Sequence, residues 1–132
     1  MARKKHAPKL NFAFTAVPKH ITRSEAWFAC RPAARLIWFA VLERFNGSNN
    51  GAISLSVREA ALYAGCSPNT AGRMFDELLS VGLLICTQTS SFNSGKRLAR
   101  LWELTHLPKQ GKAATNLWKN FGVKTSVISN TK

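Results

Sequence analysis

The sequence predicts an α+β fold, mainly helical, with a C-terminal β-hairpin and basic terminal arms. Three observations carry this expectation. Two short helical patterns meet at a Gly-Cys-Ser-Pro turn within SVREAALYAGCSPNTAGRMFDEL, residues 56–78. Two β-rich stretches separated by a cluster of turn formers follow, over residues 83–105. The net charge is +13, and most of it lies near the two ends of the chain.

The elements can be justified in order. SEAWFAC, Ser24 to Cys30, reads as a short capped helix leading into a longer one. PAARLIWFAVLERF, Pro32 to Phe45, has helical periodicity, with Ala33, Leu36, Ile37, Ala40, Val41 and Phe45 available for a core. The turn formers NGSNNG, Asn46 to Gly51, then make a loop. Ile53 and Leu55 alternate with small polar residues, as in a short strand. Ser56 followed by Glu59 is a capping box that satisfies open backbone N–H groups at a helix start. Ala60, Ala61 and Ala64 are small enough to admit a second helix closely. Gly65 supplies the left-handed residue that ends the first helix. Ser67 can cap the next, with Pro68 at a position where a missing N–H costs nothing. Ala71, Met74, Phe75 and Leu78 form one apolar face of this second helix, 67–81, and Gly82 closes it. LLICTQT, Leu83 to Thr89, and LARLWELT, Leu98 to Thr105, are the hairpin strands, with SSFNSGKR, Ser90 to Arg97, as the loop between them. AATNLWKNF, Ala113 to Phe121, reads as a short helix with Leu117, Trp118 and Phe121 on one side, either docked on the body or in a dimer contact. Residues 122–132 show no clear period.

Helices this short, joined this tightly, cross steeply in a helix-turn-helix. The stretch resembles the winged helix-turn-helix of DNA-binding regulators. Ala61 is the small residue in the middle of the first helix, and Gly65 is the glycine four residues later. Ala60, Ala64, Cys66, Ala71 and Met74 are the apolar residues around the turn. Val81-Gly82-Leu83-Leu84 stands where the family has its GFI-like ending. The resemblance covers roughly residues 24–105. It is similar to the DNA-binding domains of GntR-type and MarR-type regulators and to the winged helices of plasmid and phage replication proteins. With the charge distribution, it divides the chain into a basic arm at 1–23, a winged-helix domain at 24–105 and a basic tail at 106–132.

Charge points to a polyanion. Residues 1–23 carry Arg3, Lys4, Lys5, Lys9, Lys19 and Arg23 without an acid, a net +6. Residues 106–132 carry five lysines without an acid, a net +5, whereas 24–105 carry only +2. Duplex DNA is the commonest polyanion for this motif. A solvated basic surface and an anionic membrane surface are the blander readings, the latter weakened because neither arm forms a long amphipathic basic helix.

The resemblance implies roles for particular residues. The face of the second helix opposite Ala71 and Met74 carries Ser67, Pro68, Asn69, Gly72, Arg73 and Asp76, and in the family this face enters the major groove. Asn69 and Arg73 are the best base readers, since Asn pairs adenine and Arg pairs guanine through two bonds each. Ser67 and Thr70 hold phosphates or cap the helix, and Pro68 flanks the backbone. Gly72 lets the helix sit deeper, serves close helix packing, or is simply tolerated. Asp76 accepts from cytosine, pairs with Arg73, or weakens non-specific binding. Lys96 and Arg97 of the wing, Arg58 of the first helix, and Arg3, Lys4 and Lys5 of the arm are backbone contacts. Such contacts position without specifying. Phe92 tucks into the core, meets a partner, or wedges at a base step.

The expected function is therefore sequence-specific double-stranded DNA binding by a transcriptional regulator, with a homodimer among the partners the resemblance implies. A replication, partition or recombination factor of a plasmid or mobile element is the alternative, and a protein-interaction winged helix or an RNA-binding variant stands further back. Enzyme readings find little support: His6, His20 and His106 have no cysteine at metal-ligand spacing, and no Gly-rich phosphate loop or GxSxG elbow is present. No metal or cofactor is expected. No apolar run approaches the ~18 residues of a membrane span. The N-terminus begins like a signal peptide, but Asn11 and Pro18 interrupt its apolar part, so a basic arm on a cytoplasmic protein is preferred to a signal or transit peptide. Cys30, Cys66 and Cys86 are an odd set, read as reduced core thiols rather than a disulfide framework.

Overall fold

The computed structural model describes residues 10–93 and 96–122; for 91–93, 96 and 97 it describes the backbone alone. Helices α1 (Lys19–Thr22) and α2 (Glu25–Ala29) lead into α3 (Pro32–Glu43). Strand β1 (Ile53–Ser54) precedes α4 (Val57–Ala64) and α5 (Pro68–Ser80). Strands β2 (Leu84–Gln88), β3 (Ser91–Asn93), β4 (Lys96–Leu98) and β5 (Leu101–Leu104) follow, and a 3-10 turn spans Leu117–Asn120. Helices α3, α4 and α5 pack on one another. The sheet order is β1-β5-β2, antiparallel throughout, and β3 pairs with β4. This is an α+β, mainly helical architecture, with the order and pairing of a winged helix.

Local chemistry accounts for the helix ends. The Ser24 hydroxyl accepts from the Trp27 N–H at 3.1 Å and starts α2. At α4 the capping box is complete: the Glu59 N–H donates to Ser56 Oγ (3.0 Å), and the Ser56 N–H donates to Glu59 Oε1 (2.9 Å). That hydrogen bond holds the Glu59 carboxyl below its usual pKa, with Arg44 Nη2 at 3.2 Å adding to the effect. Gly65 ends α4 at φ 71°, which costs a side chain about 1 kcal/mol or more.

The core joins every layer. Phe75 of α5 stacks on Trp102 of β5 at 4.2 Å and 5°. The Trp102 Nε1–H donates to the Leu55 carbonyl at 2.9 Å, tying β5 to the chain after β1. Trp27 and Trp38 meet edge to face at 5.2 Å. Trp38, which the periodicity did not single out, is fully buried, whereas Leu36 is 42% exposed. The buried stripe of α3 runs through Ala34, Trp38 and Val41, and Leu36 lies on the opposite side of the helix.

Three further expectations change. The span 90–97 is not an open loop: β3 and β4 pair within it, leaving only 94 and 95 between Asn93 and Lys96. Strand pairing therefore extends further along the hairpin than expected, with a register shift between Cys86 and Gln88. The expected helix at 113–121 is only the 3-10 turn, because Asn116 sits at φ 51° and breaks the pattern. Of its apolar side only Trp118 is buried; Leu117 and Phe121 remain 41% and 37% exposed.

Residues on both sides of 24–105 also pack on the body. Ile21 is fully buried, and Trp118 stacks on His20 at 5.3 Å. At Gly82, φ 85°, an added Cβ would lie 2.8 Å from the Leu117 carbonyl carbon. Glycine is what lets the C-terminal segment lie against the end of α5. Thr105 completes this seam: its hydroxyl donates to the Gly82 carbonyl at 2.6 Å, and its carbonyl accepts from the Asn116 N–H at 2.7 Å. The three cysteines are free thiols. Cys30 is buried, and burial pushes its pKa up to about 11. Cys66 and Cys86 are half-buried. Among the described residues no helix is long and apolar enough to cross a membrane.

Candidate nucleic-acid interface

Helix α5 divides cleanly by face. Ala71, Met74, Phe75 and Leu78 are buried, while Asn69, Arg73, Asp76 and Ser80 are exposed on the other side. These four recur at helical spacing and form one outward stripe. Gly72 lies on its flank, and a Cβ there would meet nothing within 4 Å. Close helix packing is therefore not the reason for glycine at 72. Its missing side chain leaves open space beside the stripe.

The N-terminus of α5 is organised by Ser67. Its hydroxyl accepts from the Thr70 N–H at 3.1 Å and donates to Thr70 Oγ1 at 3.1 Å. Ser67 acts as the cap, so its oxygen is already engaged within the turn. Arg73 Nη2 reaches back to Thr70 Oγ1 at 3.4 Å. Of the three alternatives for Asp76, the pairing with Arg73 is not made: among the described residues the ion pairs are Arg31–Glu77, Arg44–Glu59 and Lys109–Glu103. Pro68, first in the helix, is exposed and offers van der Waals contact only, since it has no N–H.

These ion pairs also shape the local field. They occupy three of the six acids of the chain. Among the described residues Arg58, Arg73 and Arg100 take part in no ion pair. Arg58 is exposed at the second position of α4. Lys96 begins β4 opposite Asn93, beside the two-residue connection of the wing. Arg97 pairs in register with Phe92. The side chains of Lys96, Arg97 and Phe92, and all of Arg3, Lys4 and Lys5, lie outside the described residues, so the roles expected for them are not addressed there.

Arg100 was missed by sequence reasoning. Its guanidinium carbon lies 4.9 Å from the Trp102 ring centre and 5.6 Å from that of Phe75. The two stacked rings hold a half-buried cation where the wing meets α5. Phe75 is three residues from Gly72 on the same helix, so the ring edge and the open flank are neighbours. The available signal was the pair Arg100 and Trp102, two apart in a β-rich stretch and hence on one face.

Compared with known protein families, curated proteins and solved structures, the chain finds no match. The site is therefore judged on its own geometry. That geometry combines an outward polar helix stripe, an open flank, arginines outside the ion pairs of the described residues, and the paired strands β3 and β4. No group of three or more potential metal ligands occurs among the described residues.

Proposed function

We propose that this protein binds double-stranded DNA and reads its sequence with the outward stripe of α5, as a transcriptional regulator does. One observation carries the reading. Helix α5 turns Asn69, Arg73 and Asp76 outward beside the open flank at Gly72, while its other face is buried in the core. A major groove admits an α-helix, and Arg and Asn are the residues that bond guanine and adenine through two contacts. Arg58, Arg100 and the wing then meet phosphates on either side. The basic arms add sequence-independent attraction. Because most of the charge lies in those arms, a replication, partition or recombination role on a mobile element is the second reading.

The test is Arg73→Ala, measured on a duplex selected from a random pool and on its scrambled counterpart. The loss expected is about 1–3 kcal/mol on the selected duplex, with little change on the scramble. Equal losses on both would remove α5 from sequence reading.

A further inference from the structure

Two ion pairs fasten the ends of α3 to the two helices that follow it. At its C-terminal end Arg44 donates to the Ser54 carbonyl at 2.9 Å and to Glu59 of α4 at 3.2 Å. At its N-terminal end Arg31 meets Glu77 of α5. This second contact is double. The Arg31 backbone N–H donates to Glu77 Oε1 at 3.0 Å, and Arg31 Nε lies 3.2 Å from Glu77 Oε2. Both oxygens of one carboxylate are thus engaged by a residue distant in sequence. The carboxylate also sits at the N-terminus of a 12-residue helix, where the helix dipole favours negative charge.

Glu77 has a rival partner on its own helix. Arg73 lies four residues before it, and side chains four apart on a helix are neighbours, with Cβ atoms about 5–6 Å from each other. An Arg–Glu ion pair is open to them, and it is not formed. Glu77 turns toward α3, whereas Arg73 Nη2 reaches the other way, back to Thr70 Oγ1 at 3.4 Å. That direction leads to the N-terminal half of α5, the part that a groove-bound helix presents to base edges. Asp76 is nearer in sequence but shorter, and among the described residues no ion pair joins it to Arg73. A guanidinium bonded to a carboxylate of its own helix has N–H groups occupied and its charge offset, so a guanine would have to compete for it. What Glu77 bonds therefore decides what Arg73 can offer.

We propose that Arg31 is a specificity-determining residue: by holding the Glu77 carboxylate at the N-terminus of α3, it keeps the Arg73 guanidinium available to a base edge. The proposal rests on the reading of α5 as the helix that reads DNA sequence. It adds a residue outside that helix, on which the discrimination depends without any contact of its own to a base.

The experiment uses the full chain and the variants Arg31→Glu, Glu77→Gln and Arg31→Glu/Glu77→Gln. A negative charge at 31 repels the Glu77 carboxylate from α3, and the Arg31 side chain is 70% exposed, so the exchange opens no core. Each protein is titrated into a duplex selected from a random pool and into its scramble, and the ratio of the two affinities is read. The charge change at 31 acts on both duplexes and cancels in that ratio. The Arg73 Nε–H signal is followed in parallel by heteronuclear NMR without DNA. Arg31→Glu should lower the ratio about two- to fivefold and shift the Arg73 signal. Glu77→Gln, an acceptor without charge, should keep the ratio, and the double variant should regain both ratio and signal. An unchanged ratio in Arg31→Glu would overturn the proposal. So would a double variant as poor as Arg31→Glu, since residue 31 would then act through helix packing alone. In both cases a loss of preference in Arg73→Ala would leave sequence reading by α5 standing. Equal wild-type affinities for the two duplexes, with the Arg73 signal still shifting, would remove the sequence reading and the specificity role together and leave the Glu77 contact as a clip between helices.

Discussion

At the scale of single residues, the structure separates side chains that build the turn from those free to act. Ser67, Gly65 and Glu59 serve the helix ends, and their roles were legible because capping depends on neighbours three or four residues away. Asn69 and Arg73 are exposed, and that placement too was legible, because a helix pattern fixes which face is outward. Arg100 was not, since its setting depends on Phe75 and Trp102 meeting from two distant elements. A stacked guanidinium keeps its N–H edge available while its face is held. Arg100→Ala should therefore weaken selected and scrambled duplexes alike, by roughly 1 kcal/mol or more, and Arg100→Lys should recover only part of that. Binding assays on both duplexes check this; an Arg100→Ala variant with wild-type affinity would remove it from the interface.

At the scale of elements, two glycines with similar backbones should behave differently. Gly65 and Gly82 have φ of 71° and 85°, yet an added Cβ meets nothing at 65 and meets the Leu117 backbone at 82. Gly65→Ala should cost about 1 kcal/mol from conformation alone, and Gly82→Ala clearly more, because the C-terminal segment must also shift. Thermal unfolding of the two variants measures the difference, and equal losses would mean that the seam at Gly82 gives way freely. The same seam explains why the C-terminal segment was hard to read. Its pattern showed Leu117, Trp118 and Phe121 on one helical side, but Asn116 at φ 51° and the docking of Trp118 alone are tertiary outcomes. The hairpin strands were legible from β-forming residues. The pairing inside 90–97 was not, because Ser90, Ser91 and Asn93 are of types common in loops.

At the scale of the molecule, pH and salt should act on different parts. His106 packs against Trp38 at 5.4 Å, and among the described residues its buried Nδ1 has no hydrogen-bond partner. Burial, and then the nearby His20, lower its pKa from 6.5 to about 4. The unfolded chain binds this proton below about 6.5 while the folded protein resists it until about 4. Stability should thus be complete above 6.5 and fall as pH drops through that window, by a loss on the order of 1–3 kcal/mol. Urea unfolding at pH 7 and pH 4.5 checks this, and His106→Phe should flatten the difference. Salt should act through the arms. Removing residues 2–9, with Arg3, Lys4, Lys5 and Lys9, should weaken every duplex alike and make the salt slope shallower by up to roughly 3–4. The central claim is that α5 reads sequence while the charge supplies attraction. Its most direct test is fluorescence anisotropy of the full chain on a duplex selected from a random pool and on the same bases scrambled, across a salt series. The account predicts that preference for the selected duplex survives physiological salt while binding to the scramble falls away. Equal affinities that collapse together would contradict it and leave the arms as the whole of the interaction.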